Sequence, residues 1–196
     1  VNTPQDFPFC VPIASQMPHA AGAALAFKLR GQPRCALGYI GDGGTSQGAF
    51  YEAINFAGAR ALPLITIIVN NQWAISAPLS TQTAAATLAQ KAIAAGIPGI
   101  QIDGNDLLAV RQAVGAAAER ARGGGGQTVI EAITYRLGDH TTSDDASRYR
   151  PAGEVDAARK LEPLLRTRTF LESRALWNED AERQLRAECS AAIDEA

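Results

Sequence analysis

Histidine and cysteine are scarce in this chain: 196 residues hold two of the first and three of the second. Cys10, Cys35 and Cys189 are odd in number and widely spaced, which excludes a disulfide frame or a cysteine zinc site. They fit a reducing compartment with buried or incidental thiols. Two histidines are too few for a histidine-rich metal centre. Charge of one sign is also lacking. The net charge of −2 gives no basic surface for nucleic acid and no acidic solvating tail. The longest apolar runs are Ala-rich and interrupted, so no membrane span is expected, and no signal peptide is recognisable. Lysine is rare as well, 3 against 15 arginines, which together with abundant alanine and glycine reads as a GC-rich bacterial coding bias. The expected location is the bacterial cytoplasm. The chain opens at Val1 without methionine, in a loop-like segment, and reads as a piece of something longer.

What is present is one domain's worth of globular chain, 46% hydrophobic and 19% charged. Loop punctuated by proline runs through Pro12. A small-residue helix follows over 18–29, with Gly31 at its C′ position, and its many Ala and Gly residues imply close packing on a neighbour. An apolar strand over 36–40 ends at a Gly-rich turn that opens a helix over 47–60. There Phe50, Ile54 and Ala57 form an apolar stripe. Pro63 breaks that helix, and a second apolar run over 64–69 ends at Asn70-Asn71. Strand, helix, strand in that order is a crossover, which makes the strands parallel and places their carboxyl ends on one sheet edge. Asp42 and Asn71 become neighbours there.

Further along, the pattern predicts a polar loop to about Thr81 and a helix near 84–95. A short strand over 100–102 follows, then a helix over 107–122 capped by Asn105 or Asp106, with Leu107, Val110 and Val114 inward. Gly123 to Gly126 form a flexible break before a strand over 128–135. A polar loop over 137–153 and two charged amphipathic helices complete the chain. The expected fold is α/β, a doubly wound and mostly parallel sheet with helices on both faces. Residues 1–153 form the sheet domain and 154–196 a helical extension packed outside it.

The Gly41-Asp42-Gly43-Gly44 turn carries the chemistry. Glycines let backbone approach a ligand, and amides at the start of a helix favour anionic oxygens. Asp42 would repel a bare phosphate, so a carboxylate there makes sense with a divalent cation between them. Magnesium takes oxygen ligands, and Asn71 offers an amide oxygen and Trp73 a backbone carbonyl. Taken alone, Gly-Asp-Gly is also a common turn, and two asparagines can simply end a strand; their matched positions on adjacent strands favour the metal. Neither Gly-x-Gly-x-x-Gly nor Gly-Lys-Ser/Thr is present, so the dinucleotide and Walker loops are excluded. His140, in Gly138-Asp139-His140-Thr141, follows the 128–135 strand and is delivered to the same edge. There it is either an exposed loop residue or a group that binds oxygen and shuttles protons. His19 is set aside as a helix-start residue, and Asp144 and Asp145 as loop-ordering or capping groups.

With these parts placed, the chain resembles the thiamine diphosphate enzymes, and within them the alpha subunits of the 2-oxoacid dehydrogenases. The resemblance runs through the Gly41–Gly48 turn, Glu52-Ala53-Ile54-Asn55, Asn70 to Ser76, Gly96-Ile97-Pro98-Gly99, Asp103-Gly104-Asn105-Asp106, Thr134-Tyr135-Arg136, Thr142 to Asp145 and Tyr149-Arg150. It implies that Asp42, Asn71 and the Trp73 carbonyl hold Mg2+ and that Gly43 and Gly44 meet the diphosphate. Val11 and Ile13 would line the cofactor, Ile75 would pack near the aminopyrimidine, and His140 would be the active-site loop histidine. Thr141 stands where animal relatives carry a regulatory serine, and nothing else supports phosphorylation there.

The implied activity is that of a pyruvate dehydrogenase component, passing an acetyl group to the lipoyl arm of a partner acyltransferase in an alpha2beta2 heterotetramer. The glutamate that activates the cofactor would come from the beta subunit, so this polypeptide is expected to be inactive alone. In a eukaryotic source the location would be the mitochondrial matrix. Two departures stand out. Family alpha subunits extend further at the N-terminus, where a Tyr-Arg pair helps hold diphosphate and substrate, and Trp73 replaces a more usual Tyr or Phe. Branched-chain 2-oxoacid dehydrogenase alpha is the nearest rival, with acetoin dehydrogenase alpha more distant. From other classes, a non-catalytic assembly module and a generic phosphate-binding domain remain open.

Overall fold

The computed structural model describes residues 6–7, 11–151 and 153–195. Cys10 and most of the expected opening loop lie outside them. The first element, α1 (Gln16–Leu29), ends with paired bonds from Gly31 N to Lys28 O and from Gln32 N to Phe27 O. Gly31 takes φ +61. This is the left-handed glycine stop expected at C′. Met17, Ala20, Ala21 and Ala24 are buried, so α1 packs closely on its neighbours through small side chains.

β1 (Ala36–Gly41) leads through a four-residue 3-10 turn (Gly43–Ser46) into α2 (Gly48–Ala59), where Phe50, Ala53, Ile54 and Ala57 are buried. β2 (Leu64–Asn70) is buried on both faces, as a central parallel strand must be. A two-residue hairpin, β3 (Trp73–Ala74) with β4 (Ala77–Pro78), and a short α3 (Leu79–Gln82) occupy the expected polar loop. Then come a 3-10 turn (Leu88–Gln90), α4 (Lys91–Ala94), β5 (Gly99–Asp103), α5 (Leu107–Arg122) and β6 (Thr128–Ile133). Three helices finish the chain: α6 (Glu154–Arg159), α7 (Pro163–Ser173) and α8 (Glu179–Glu195).

The main sheet has order β1-β2-β6-β5 and is parallel throughout. One face is closed by α1 and α2 over Leu64, Ile68 and Val129. The other carries Ala113, Val114, Ala117 and Ala118 of α5 on Ile65, Ile67 and Ile130. The doubly wound α/β class is therefore as expected.

Several expectations need correction. The helix near 84–95 is shorter, because Thr87 is extended and its hydroxyl caps Gln90 N, so helical structure starts only at Leu88. The strand expected over 128–135 ends at Ile133, although Thr134 N still donates to Asn70 O. Leu107 is exposed, and the inward stripe of α5 runs instead through Val114, Ala117 and Ala121. The two terminal helices are three, since Glu162 caps a new helix with Pro163 at its first position. The 123–126 break is ordered: Gly124 N donates to Ala121 O and Gly125 N to Arg120 O, with Gly124 at φ +81. Cys35 and Cys189 are free thiols.

Candidate functional site

Parallel pairing sets Gly41 opposite Val69 and Asn70 opposite Ile133. The loops after β1, β2 and β6 therefore leave the same edge, and a cleft of about 1020 Å3 opens there. Its walls include Val11, Ile13, Asp42, Gly43, Gly44, Asn71, Trp73, Ile75 and His140. Every cofactor or metal residue proposed from the sequence thus lies on one cavity.

Asp42 is 2% exposed, and among the described residues its one side-chain bond is from Gln82 Nε2 to Oδ2 at 2.7 Å. Among the described residues it forms no ion pair. A buried carboxylate without a cation is costly unless something compensates it. Asn71 Oδ1 accepts Trp73 N at 3.2 Å, which shapes the loop after β2. Its neighbour Asn70 closes β2, and its Nδ2 donates to the buried Glu131 at 2.7 Å. Glu131 also accepts Ala89 N at 2.9 Å, tying the ends of β2 and β6 to the Leu88–Gln90 turn.

The glycines also answer a packing need that the sequence argument did not include. A Cβ on Gly43 would lie 2.5 Å from the Ala74 methyl, and one on Gly44 2.6 Å from Ile40 Cγ1. It is protein, not only ligand, that approaches these positions. The turn's first i→i−3 bond runs from Thr45 N to Asp42 O, so the Gly43 and Gly44 amides precede it and are not used by it. Thr45 is in turn gripped by the buried Lys91, whose Nζ donates to Thr45 O at 3.0 Å and to Oγ1 at 2.8 Å.

The loop with His140 is ordered by carboxylates. Asp144 Oδ2 accepts His140 N at 2.8 Å and the Tyr149 hydroxyl at 2.5 Å. Asp139 accepts Ala146 N, and Asp145 caps the 3-10 turn Ala146–Arg148. The Tyr149 hydroxyl bond, followed by the His140 amide, holds the Asp144 carboxyl below its ordinary range. Arg136 fastens this loop to the one after β2. It donates to Trp73 O at 3.1 Å, Ile75 O at 2.9 Å and the Tyr149 hydroxyl at 2.6 Å.

Four residues escaped the sequence reasoning as site groups. Arg136 and Tyr149 lay inside quoted stretches, but their contact depends on the path of two loops. Gln82 is 40 positions from Asp42 with no motif to flag it. His19, set aside earlier, is exposed on the wall of the same cleft.

Comparison with known proteins gives the family of the chain. The model of the family described as "Dehydrogenase E1 component" matches residues 7–196. The chain belongs to that family. It is 54% identical over 189 residues to the pyruvate dehydrogenase E1 component subunit alpha of Staphylococcus aureus (strain Mu50 / ATCC 700699), covering 94% of this chain and 51% of that protein. It is 49% identical over 180 residues to the 3-methyl-2-oxobutanoate dehydrogenase subunit alpha of Mycobacterium tuberculosis (strain ATCC 25618 / H37Rv), covering 92% of this chain and 49% of the relative. The chain thus spans about half the length of the curated relatives it matches. Both relatives of this E1 component chain are named as alpha subunits of dehydrogenases.

Proposed function

We propose that this chain is part of the alpha subunit of a pyruvate dehydrogenase that uses thiamine diphosphate and Mg2+. It works with a beta subunit as an alpha2beta2 heterotetramer and hands an acetyl group to the lipoyl arm of a partner acyltransferase, in the bacterial cytoplasm. The observation that carries this reading is the meeting of Asp42, Asn71, Trp73, the Gly43-Gly44 turn and His140 on one cleft at the carboxyl ends of parallel strands. A carboxylate, an amide oxygen and a backbone carbonyl are the hard oxygen donors that Mg2+ takes. The buried charge of Asp42, unpaired by any described cation, fits a divalent partner. At Trp73 the carbonyl already accepts Arg136, which leaves its second lone pair for a metal.

When bound, thiamine diphosphate supplies the electron sink that lets a 2-oxoacid lose carbon dioxide. The chain's own residues hold and orient it. The Gly43 and Gly44 amides would receive the diphosphate. Val11, Ile13 and Ile75, 81%, 65% and 52% exposed, offer an apolar wall for its rings. His140, exposed on its ordered loop, would hold or move a proton at its imidazole. The activating glutamate is assigned to the beta subunit.

A branched-chain 2-oxoacid is the second reading, favoured by the Mycobacterium tuberculosis relative; the higher identity to the Staphylococcus aureus protein supports pyruvate. Turnover by the full alpha chain reconstituted with beta, thiamine diphosphate and Mg2+ separates them. Pyruvate is expected to give the larger kcat/KM, and faster turnover of 3-methyl-2-oxobutanoate would reverse the assignment.

A further inference from the structure

We propose that Gln82 is a positioning residue for the metal-binding carboxylate, an inference that rests on the reading of Asp42 as a metal ligand. Gln82 closes α3, and its Nε2 donates to Asp42 Oδ2 at 2.7 Å and to Ala77 O at 3.1 Å. Both partners only accept, so the amide orientation is fixed with nitrogen toward them and oxygen away. That oxygen is buried and accepts no hydrogen bond among the described residues. It lies 3.9 Å from where a Cβ on Gly43 would stand, beside the turn that heads the cleft.

These two bonds define the side chain's task. The nitrogen fixes the Asp42 carboxylate against the hairpin that follows Asn71 and carries Trp73, so both halves of the clamp share one support. Partners of this kind set the orientation and affinity of the ligands they hold.

The test is Mn2+ binding, followed by electron paramagnetic resonance with saturating thiamine diphosphate, in the full alpha chain paired with its beta subunit. Each variant is read well below its own metal-free melting midpoint. Gln82→Met keeps the length and loses the amide, and its Kd for Mn2+ is expected to rise about tenfold. Gln82→Asn, which retains the amide but cannot span both partners, is expected to weaken binding likewise and serves if the Met variant does not fold. Thr81→Ala, on the same short helix with its hydroxyl on Pro78 O, should leave Kd unchanged. Asp42→Asn is the control on the site itself and should lose the metal. If Gln82→Met and Gln82→Asn bind Mn2+ within twofold of the parent while Asp42→Asn does not bind, the role of Gln82 is overturned and the site stands. Undiminished binding by Asp42→Asn would overturn both.

Discussion

Arg136 shows how much of this site depends on single side chains. Its guanidinium is planar and forked, so it can serve Trp73 O, Ile75 O and the Tyr149 hydroxyl at once; a lysine ammonium on a flexible stem cannot. Arg136→Lys is therefore expected to loosen the loop over 137–150. Amide exchange at His140 should accelerate while the amides of β2 and β6 keep their protection; equal protection in both regions would remove Arg136 from this role. The Asp144 carboxyl adds a pH dependence. Its pKa is lowered in the folded state, first by the Tyr149 hydroxyl and then by the His140 amide. The order it gives the loop is thus fully present above the ordinary carboxylate range and is lost as pH falls through the lowered value. Exchange at His140, corrected for intrinsic rates, should stay slow through the ordinary carboxylate range and quicken only below it; Asp144→Asn should abolish that step. Tyr149 behaves oppositely. Partial burial and the bond to Asp144 raise its pKa, so its contribution is lost only as pH rises through that raised value.

Elements pack on one another here with little slack. The 3-10 turn over Gly43–Ser46 rests on the β3–β4 hairpin, where a methyl on Gly43 would collide with that of Ala74. Gly43→Ala is expected to cost about 1–3 kcal/mol of stability, the usual penalty for overpacking, and Ala74→Gly in the same chain should restore most of it. Urea denaturation of the two single variants and the double variant checks this, and additive losses would show that the contact is not the cause. The regular elements were legible because their signals are local: Phe50, Ile54 and Ala57 at helical spacing, Pro63 as a breaker, Gly31 as a stop. Elements set by side chains distant in sequence or by single caps were not. Alanines over 84–86 favour helix by propensity, yet Thr87 caps Gln90 and delays it. Asp42 and Asn71 were legible for the same local reason, as the residues that end two strands of a crossover. Gln82 and Arg136 act across 40 and 63 positions, through loops whose course no periodicity encodes.

The whole molecule divides into a closed sheet and an outer arm. No residue of α6, α7 or α8 is buried, while most of β2 is. Arg166 of α7 meets the sheet edge through Asp103 at 2.7 Å, and α7 meets α8 through Arg168 and Glu182 at 2.6 Å. Elements with so little buried surface open at lower free energy than a core. Arg166→Met should raise exchange in α7 and leave β2 unchanged, and equal acceleration in both would mean the arm and sheet unfold together. Burial of Asp103 opposes its ionisation, but the hydrogen bond from Arg166 prevails and its pKa is lowered, so acid below the ordinary carboxylate range should release the same contact. The parallel register has a different consequence. Gly41 ends β1 opposite Val69 and β2 runs one residue further, so the gap between Asp42 and Asn71 is gauged by backbone bonds, like the jaws of a fixed calliper. The connecting helix can lengthen, shorten or change its surface without altering that gauge, whereas shifting one strand by a single residue would move one jaw by about 3.3 Å and turn its side chain to the opposite face.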